Sequence, residues 1–119
     1  MRDKVNLAQK LAAFDEVFSP KTVAYLNDYK VQVAKVKGDF VWHSHPETDD
    51  FFLVLSGRLI VQLRDRDVEL GPGELLVVPA GVEHCPRADV ETEIVLIEPR
   101  GTVNTGDAGG PLTAREEEL

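Results

Sequence analysis

Cysteine, methionine and tryptophan each occur once in the 119 residues. A lone Cys85 cannot close an intrachain disulfide, so ordinary packing must hold the fold, which favours a reducing, cytoplasmic location. Long apolar runs are missing too. No stretch approaches the roughly 18 consecutive apolar residues of a membrane-spanning helix, and the first ten residues are too polar for the apolar stretch of a signal peptide. Basic residues are the minority charge, 13 Lys and Arg against 21 Asp and Glu, for a formal net charge of -8. That surplus repels phosphate backbones and anionic membranes, which argues against nucleic acid and membrane surfaces as partners. What remains is an ordinary globular composition, 43% hydrophobic and 29% charged, long enough for one domain and too short for two.

Near the start, Leu7, Leu11 and Phe14 recur at helical spacing among alanines, which predicts a short amphipathic helix over 6–14. Ser19-Pro20 interrupts that pattern. From there to Pro99, short runs rich in Val, Leu, Ile and Phe alternate with Gly, Pro and Asp, predicting strands at 23–26, 29–36, 40–43, 51–55, 58–64, 67–70, 74–78, 83–86 and 94–98. Ser56-Gly57, Asp65-Arg66 and Gly71-Pro72-Gly73 supply the turns. Short strands with frequent turns point to an antiparallel sandwich or barrel rather than to βαβ units. The chain thus divides into a lead-in at 1–19, one β domain at 20–99 and an arm at 100–119, expected to be extended or partly disordered, with at most a short helix near Thr113.

The three histidines, His43, His45 and His84, all fall in the β region. On a strand, His43 and His45 would project to the same face, the spacing of a two-point metal clamp. His-x-His alone is a weak signal, so its surroundings matter. Gly38 precedes His43, Asp50 follows His45 after four residues, and Gly57 follows Asp50 after six. In the second segment Gly73, Pro79, Gly81 and His84 stand at intervals of six, two and three positions.

These two segments resemble the paired motifs of the cupin superfamily. Its first motif runs Gly, five residues, His-x-His, three or four residues, Glu, six residues, Gly; its second runs Gly, five residues, Pro-x-Gly, two residues, His, three residues, Asn. Three departures stand out: four residues rather than five separate Gly38 from His43, Ala88 replaces the Asn, and Asp50 replaces the Glu. The last bears on chemistry, because aspartate is one methylene shorter than glutamate.

The resemblance implies an all-β fold, a cupin-type antiparallel β-barrel or double-stranded jelly roll with a short N-terminal helix. It also implies a metal site of His43, His45, Asp50 and His84 for one divalent transition metal. Three imidazoles and a carboxylate suit Mn, Fe, Ni, Co or Zn without choosing among them, and such a set leaves positions open for water, substrate or dioxygen. Asp50 is either the fourth ligand or a catalytic base beside three histidines. The expected function is a metal-dependent enzyme on a small oxygenated metabolite, of isomerase, dioxygenase or lyase type. The resemblance is to the mannose-6-phosphate isomerase-like small cupins, which also suggests a homodimer. The alternative is a non-catalytic module that binds or senses a sugar or organic acid.

Other residues read more plainly. Cys85 alternates away from His84 and is expected to be a buried, inert thiol. Glu47 and Asp49 read as a solvated mouth loop, and Arg58, Arg64 and Arg66 as an exposed hairpin with ion pairs. Phe40, Trp42, Phe52 and Val54 are candidates for the cavity wall, with core packing the simpler assignment.

Overall fold

The computed structural model describes residues 3–119. One helix, α1 (Leu7–Leu11), precedes eight strands: β1 (Lys21–Leu26), β2 (Tyr29–Asp39), β3 (Asp50–Ser56), β4 (Leu59–Leu63), β5 (Asp67–Leu70), β6 (Leu75–Val78), β7 (His84–Pro99) and β8 (Glu117–Glu118). The fold is the expected jelly-roll-like β architecture. Its centre is the long antiparallel β2–β7 ladder. Along its other edge β7 pairs first with β4 and then with β3, so β5-β4 and β6-β3 form two leaves of one branched sheet. The leaves face each other without closing into a continuous barrel.

Strand alternation then separates two cores. Even-numbered residues of β2 and β7, including Ala34, Val36, Ala88, Ile94 and Leu96, meet Phe52, Val54, Leu59, Val61, Leu70 and Val78 between the leaves. Odd-numbered Val33 and Val95 face outward, where Leu11, Phe14 and Val23 cover them. Each such side chain contributes on the order of 2 kcal/mol of transfer free energy. The helix is shorter than the periodicity predicts. Asn6 caps it by accepting from the Gln9 N–H, and the chain turns after Leu11, yet Phe14 still reaches the same outer cluster.

Three differences from the sequence reading concern the site. Residues 40–43 form no regular strand: the β2–β7 ladder shifts register between Val36 and Gly38, where φ is +81, resumes through Asp39 and ends there. Only an isolated bridge, His43 to His84, continues it. The expected strands at 83–86 and 94–98 are two ends of β7, since the polar stretch between them crosses from one leaf to the other. The arm forms no helix near Thr113. It folds back on its own domain, where β8 pairs parallel with β1, Lys21 and Lys30 bind Glu117 and Glu116, and Leu119 donates to Thr22.

Candidate metal centre

His43 and His84 face each other across their bridge, each N–H donating to the other's carbonyl at 3.0 and 2.9 Å. That exchange sets the imidazoles side by side, with ring centroids 4.3 Å apart. His45 follows in the loop after the bridge, so its convergence with His43 is not the strand alternation the spacing suggested. Its carbonyl instead accepts from Gly81, whose φ of +80 lets the Pro79-Ala80-Gly81 turn approach. Asp50 opens β3 opposite Val78. The neighbouring Asp49 is more than solvated loop, for its Oδ1 accepts from the Ala80 N–H at 2.9 Å and joins the two motif segments.

His43, His45, Asp50 and His84 are all buried, and one nitrogen or oxygen from each lies within 4.8 Å of the others. Asp50 Oδ2 is 2.9 Å from His84 Nε2 and 3.2 Å from His45 Nε2, so the shorter aspartate does reach the rings. His43 Nδ1 contacts the Val41 carbonyl and His84 Nδ1 the Val82 carbonyl, both at 2.9 Å. A carbonyl only accepts, so each Nδ1 donates there and each Nε2 is the atom turned to the cluster.

The electrostatics follow from burial and proximity. Burial lowers His43 to about 4 despite its bond to Val41, which keeps the ring neutral. Burial also opposes charging of His45, but the hydrogen bond and charge of Asp50 outweigh it and raise its pKa. For Asp50 burial acts upward, yet the hydrogen bonds with His45 and His84 prevail and hold the carboxyl down at about 2.

The donor set fits a divalent transition ion. Ligand atoms about 2.1 Å from one ion stand at most about 4.2 Å apart, so the cluster needs only small side-chain adjustments to close on a cation. Backbone carbonyls hold two of the rings by their outer nitrogens, as metal-binding histidines require. Phe18, Phe40, Phe52, Ile94 and Leu96 wall the cavity beside His43, His45 and Asp50. Phe40 and Phe52 thus serve that wall, whereas Val54 is core and Trp42 packs under the Arg64 guanidinium, 3.8 Å from its ring centre. Cys85 is buried, and burial pushes its thiol up. Arg58, Arg64 and Arg66 pair with Glu69, Glu83 and Asp65 on the exposed hairpin.

Four residues near the site escaped the sequence reading. Glu98 lines the cavity and pairs with Lys30 at 3.6 Å; both sit in the inward phase of their strands, a signal visible as polar residues in register with Ala34 and Leu96. Asn104 and Asp107 belong to the arm, and nothing in their local sequence announces a role.

The cupin domain family matches residues 30–100. A cupin-2 domain containing protein from Shewanella frigidimarina is 44% identical, with a TM-score of 0.80 over 81% of this chain and 94% of that one. The uncharacterized protein YdbB of Bacillus subtilis (strain 168) is 32% identical over 78 residues, 65% of this chain and 69% of its own. The hydroquinone 1,2-dioxygenase PnpCD, solved with Cd2+ and 4-hydroxybenzonitrile, shares the fold at 18% identity, with a TM-score of 0.66 over 91% of this chain and 74% of its own. A family match across 71 residues that contains both histidine segments, on the jelly-roll framework they require, places this chain in the cupin family.

Proposed function

We propose that this cupin is a mononuclear metal-dependent enzyme for a small oxygenated molecule, with His43, His45, His84 and Asp50 as ligands. One observation carries the reading. His84, with its Nδ1 committed to the Val82 carbonyl, directs Nε2 at an Asp50 oxygen 2.9 Å away, and His45 Nε2 stands 3.2 Å from the same oxygen. Three buried imidazoles converging on one carboxylate make a nitrogen-and-oxygen donor set suited to a divalent cation, which would take the place of the ring protons that bridge to Asp50. A divalent ion held there supplies Lewis-acid polarisation of a substrate oxygen. The protein's own share is orientation and exclusion of water: carbonyls fix two rings, and aromatic walls keep the cavity dry. Asp50 serves as ligand rather than base, because a carboxyl held at about 2 is a weak proton acceptor at neutral pH.

Elemental analysis of protein purified without a histidine tag tests this directly. Near-stoichiometric metal in the wild type, lost in both His43→Ala and His84→Ala, is the expected result; no metal after reconstitution with Mn, Fe, Ni, Co and Zn overturns it. Isomerase, dioxygenase and lyase chemistries are then separated by oxygen uptake and product analysis on a panel of sugars, diketones and hydroxy acids. The second reading, a metal-containing binder without turnover, draws on Asp50 being engaged by two rings, which leaves the cluster without a free base. Binding of a panel member with no product formed favours it. The reading includes a homodimer through the edge strand β6, where Leu75 and Val77 are exposed. Light scattering that gives the monomer mass at micromolar concentration excludes the pairing.

A further inference from the structure

The cavity wall carries one more charged group besides the histidine cluster. Glu98, 5% exposed, stands in the lining with His43, His45 and Asp50, and a second, polar recess opens beside it. The cavity and the recess share Pro20, Glu98 and Asn104. Lys30 and Gln32 line the recess from β2, each only 2% exposed. Lys30 Nζ is committed, to the Thr102 carbonyl at 3.0 Å, to Glu116 at 2.6 Å and to Glu98 at 3.6 Å. Asn104 is committed as well, donating to Leu112 and accepting from Ala114.

Gln32 is different. Its Nε2 donates to Thr22 Oγ1 at 3.2 Å, but its buried Oε1 has no hydrogen-bond partner among the described residues. Exchanging the two amide atoms would leave the NH2 unpaired in place of the oxygen, because Thr22 can serve only one of them, so one group of this buried amide lacks a partner either way. A buried amide oxygen without a donor is costly, and native folds keep few of them. The buried part of the recess therefore presents two hydrogen-bonding groups to a ligand, the unpaired Gln32 amide and the Glu98 carboxyl. Arg115 stands exposed at the rim.

We propose that Gln32 and Glu98 form a second subsite that hydrogen-bonds a hydroxyl group of a small alcohol, at once donor and acceptor, whose apolar body fills the neighbouring aromatic-walled cavity. Phe18 and Phe40 stack with centroids 5.0 Å apart and, with Phe52 and Leu96, give that body an apolar bed. Lys30 holds the Glu98 carboxyl in place, and the hydroxyl bridges it to the unpaired group of the Gln32 amide. The subsite rests on the cavity being the substrate site, as proposed above, and not on the metal.

Matched probes test it: cyclohexane-1,4-diol against cyclohexanol, titrated into the full chain and followed by ligand-detected NMR, with and without added Zn2+. The diol is expected to bind about tenfold more tightly, the worth of one hydrogen bond to a buried or charged group. Gln32→Met and Glu98→Gln should each bring the ratio close to one, with the metal content unchanged. Gln32→Met keeps the volume and removes an unpaired group, so it should fold, as thermal melting will check. Equal affinity of the two probes for the wild type, no binding of either, or an unchanged ratio in both variants overturns the subsite. A diol preference in protein that takes up no metal leaves the subsite standing and sinks the metal assignment alone.

Discussion

Asp107, 63 residues downstream, grips Ser44 with three hydrogen bonds. Its Oδ1 accepts from the Ser44 N–H at 2.8 Å, its Oδ2 from the Ser44 hydroxyl at 3.1 Å, and its own N–H donates to the Ser44 carbonyl at 3.1 Å. Ser44 lies between His43 and His45, so the arm fixes the backbone from which two of the three imidazoles project. Gly106 makes the approach possible: its φ is +54, and a Cβ there would collide with the Ser44 carbonyl and press on the His43 ring.

Asp107→Ala should therefore weaken metal binding by roughly 10- to 100-fold, the usual effect of removing a group that orients a ligand. Asp107→Asn keeps one accepting oxygen and should fall in between. Chelator competition gives the affinities, and thermal melting of the metal-free proteins shows whether folding is spared. Affinity that drops only in step with melting temperature would mean that Asp107 supports the fold rather than the site.

Asp50→Asn separates charge from shape at the cluster. The amide fits the same space but cannot match the negative charge, so bound metal should fall well below stoichiometric in elemental analysis after dialysis. Asp50→Glu extends the reach by one methylene and should retain metal, at a packing cost of about 1–3 kcal/mol in this buried position. Metal retained equally by the Asn variant would restrict the ligand set to the three histidines.

Much of this centre was legible in the sequence, and the reasons for the rest are physical. His43, His45, Asp50 and His84 stand at motif intervals because two short strand-and-turn units must deliver them to one point, and such local geometry leaves a fixed spacing. Lys30 and Glu98 left a weaker trace, as polar residues in the inward phase of β2 and β7, readable only once the phase is known. Asp107 and Asn104 left none. Their contacts span 63 and 86 residues and depend on how the arm returns to the domain, which no local pattern encodes. The polar middle of β7 misled for a related reason: 89–91 are exposed because the strand passes between leaves there, not because it ends.

Glu98 should make stability depend on pH. Burial raises its carboxyl to about 7, the charge of Asp50 adds to this, and Lys30 opposes it. The unfolded chain loses that proton near the ordinary 4.5. Between about pH 4.5 and 7 the folded protein thus holds a proton that the unfolded one has released, so this contribution is complete below 4.5 and is lost as pH rises toward 7. A gap of this size corresponds to about 3 kcal/mol. Urea denaturation of metal-free protein at a series of pH values should show that loss in the wild type, and Glu98→Gln should remove it. Parallel pH curves for the two proteins would rule out Glu98 as the source.

Gly57 and Gly73 provide a paired test of the turns that frame the two motifs. Both have positive φ, +85 and +81, so an alanine at either site pays a similar backbone strain of about 1 kcal/mol. Their surroundings differ. A Cβ at Gly57 would strike Thr92 Oγ1 and lie 2.9 Å from the Glu91 carbonyl, whereas at Gly73 it would meet nothing within 4 Å. The threatened hydroxyl is also the one that accepts from the Arg58 N–H and donates within the same turn, and it is wholly buried. Gly57→Ala should therefore lose at least about 2 kcal/mol more than Gly73→Ala in chemical denaturation, because no side-chain rotation can clear the backbone carbonyl. Equal losses would mean that strain alone, and not the packing of Thr92 against this turn, requires glycine where the first motif ends.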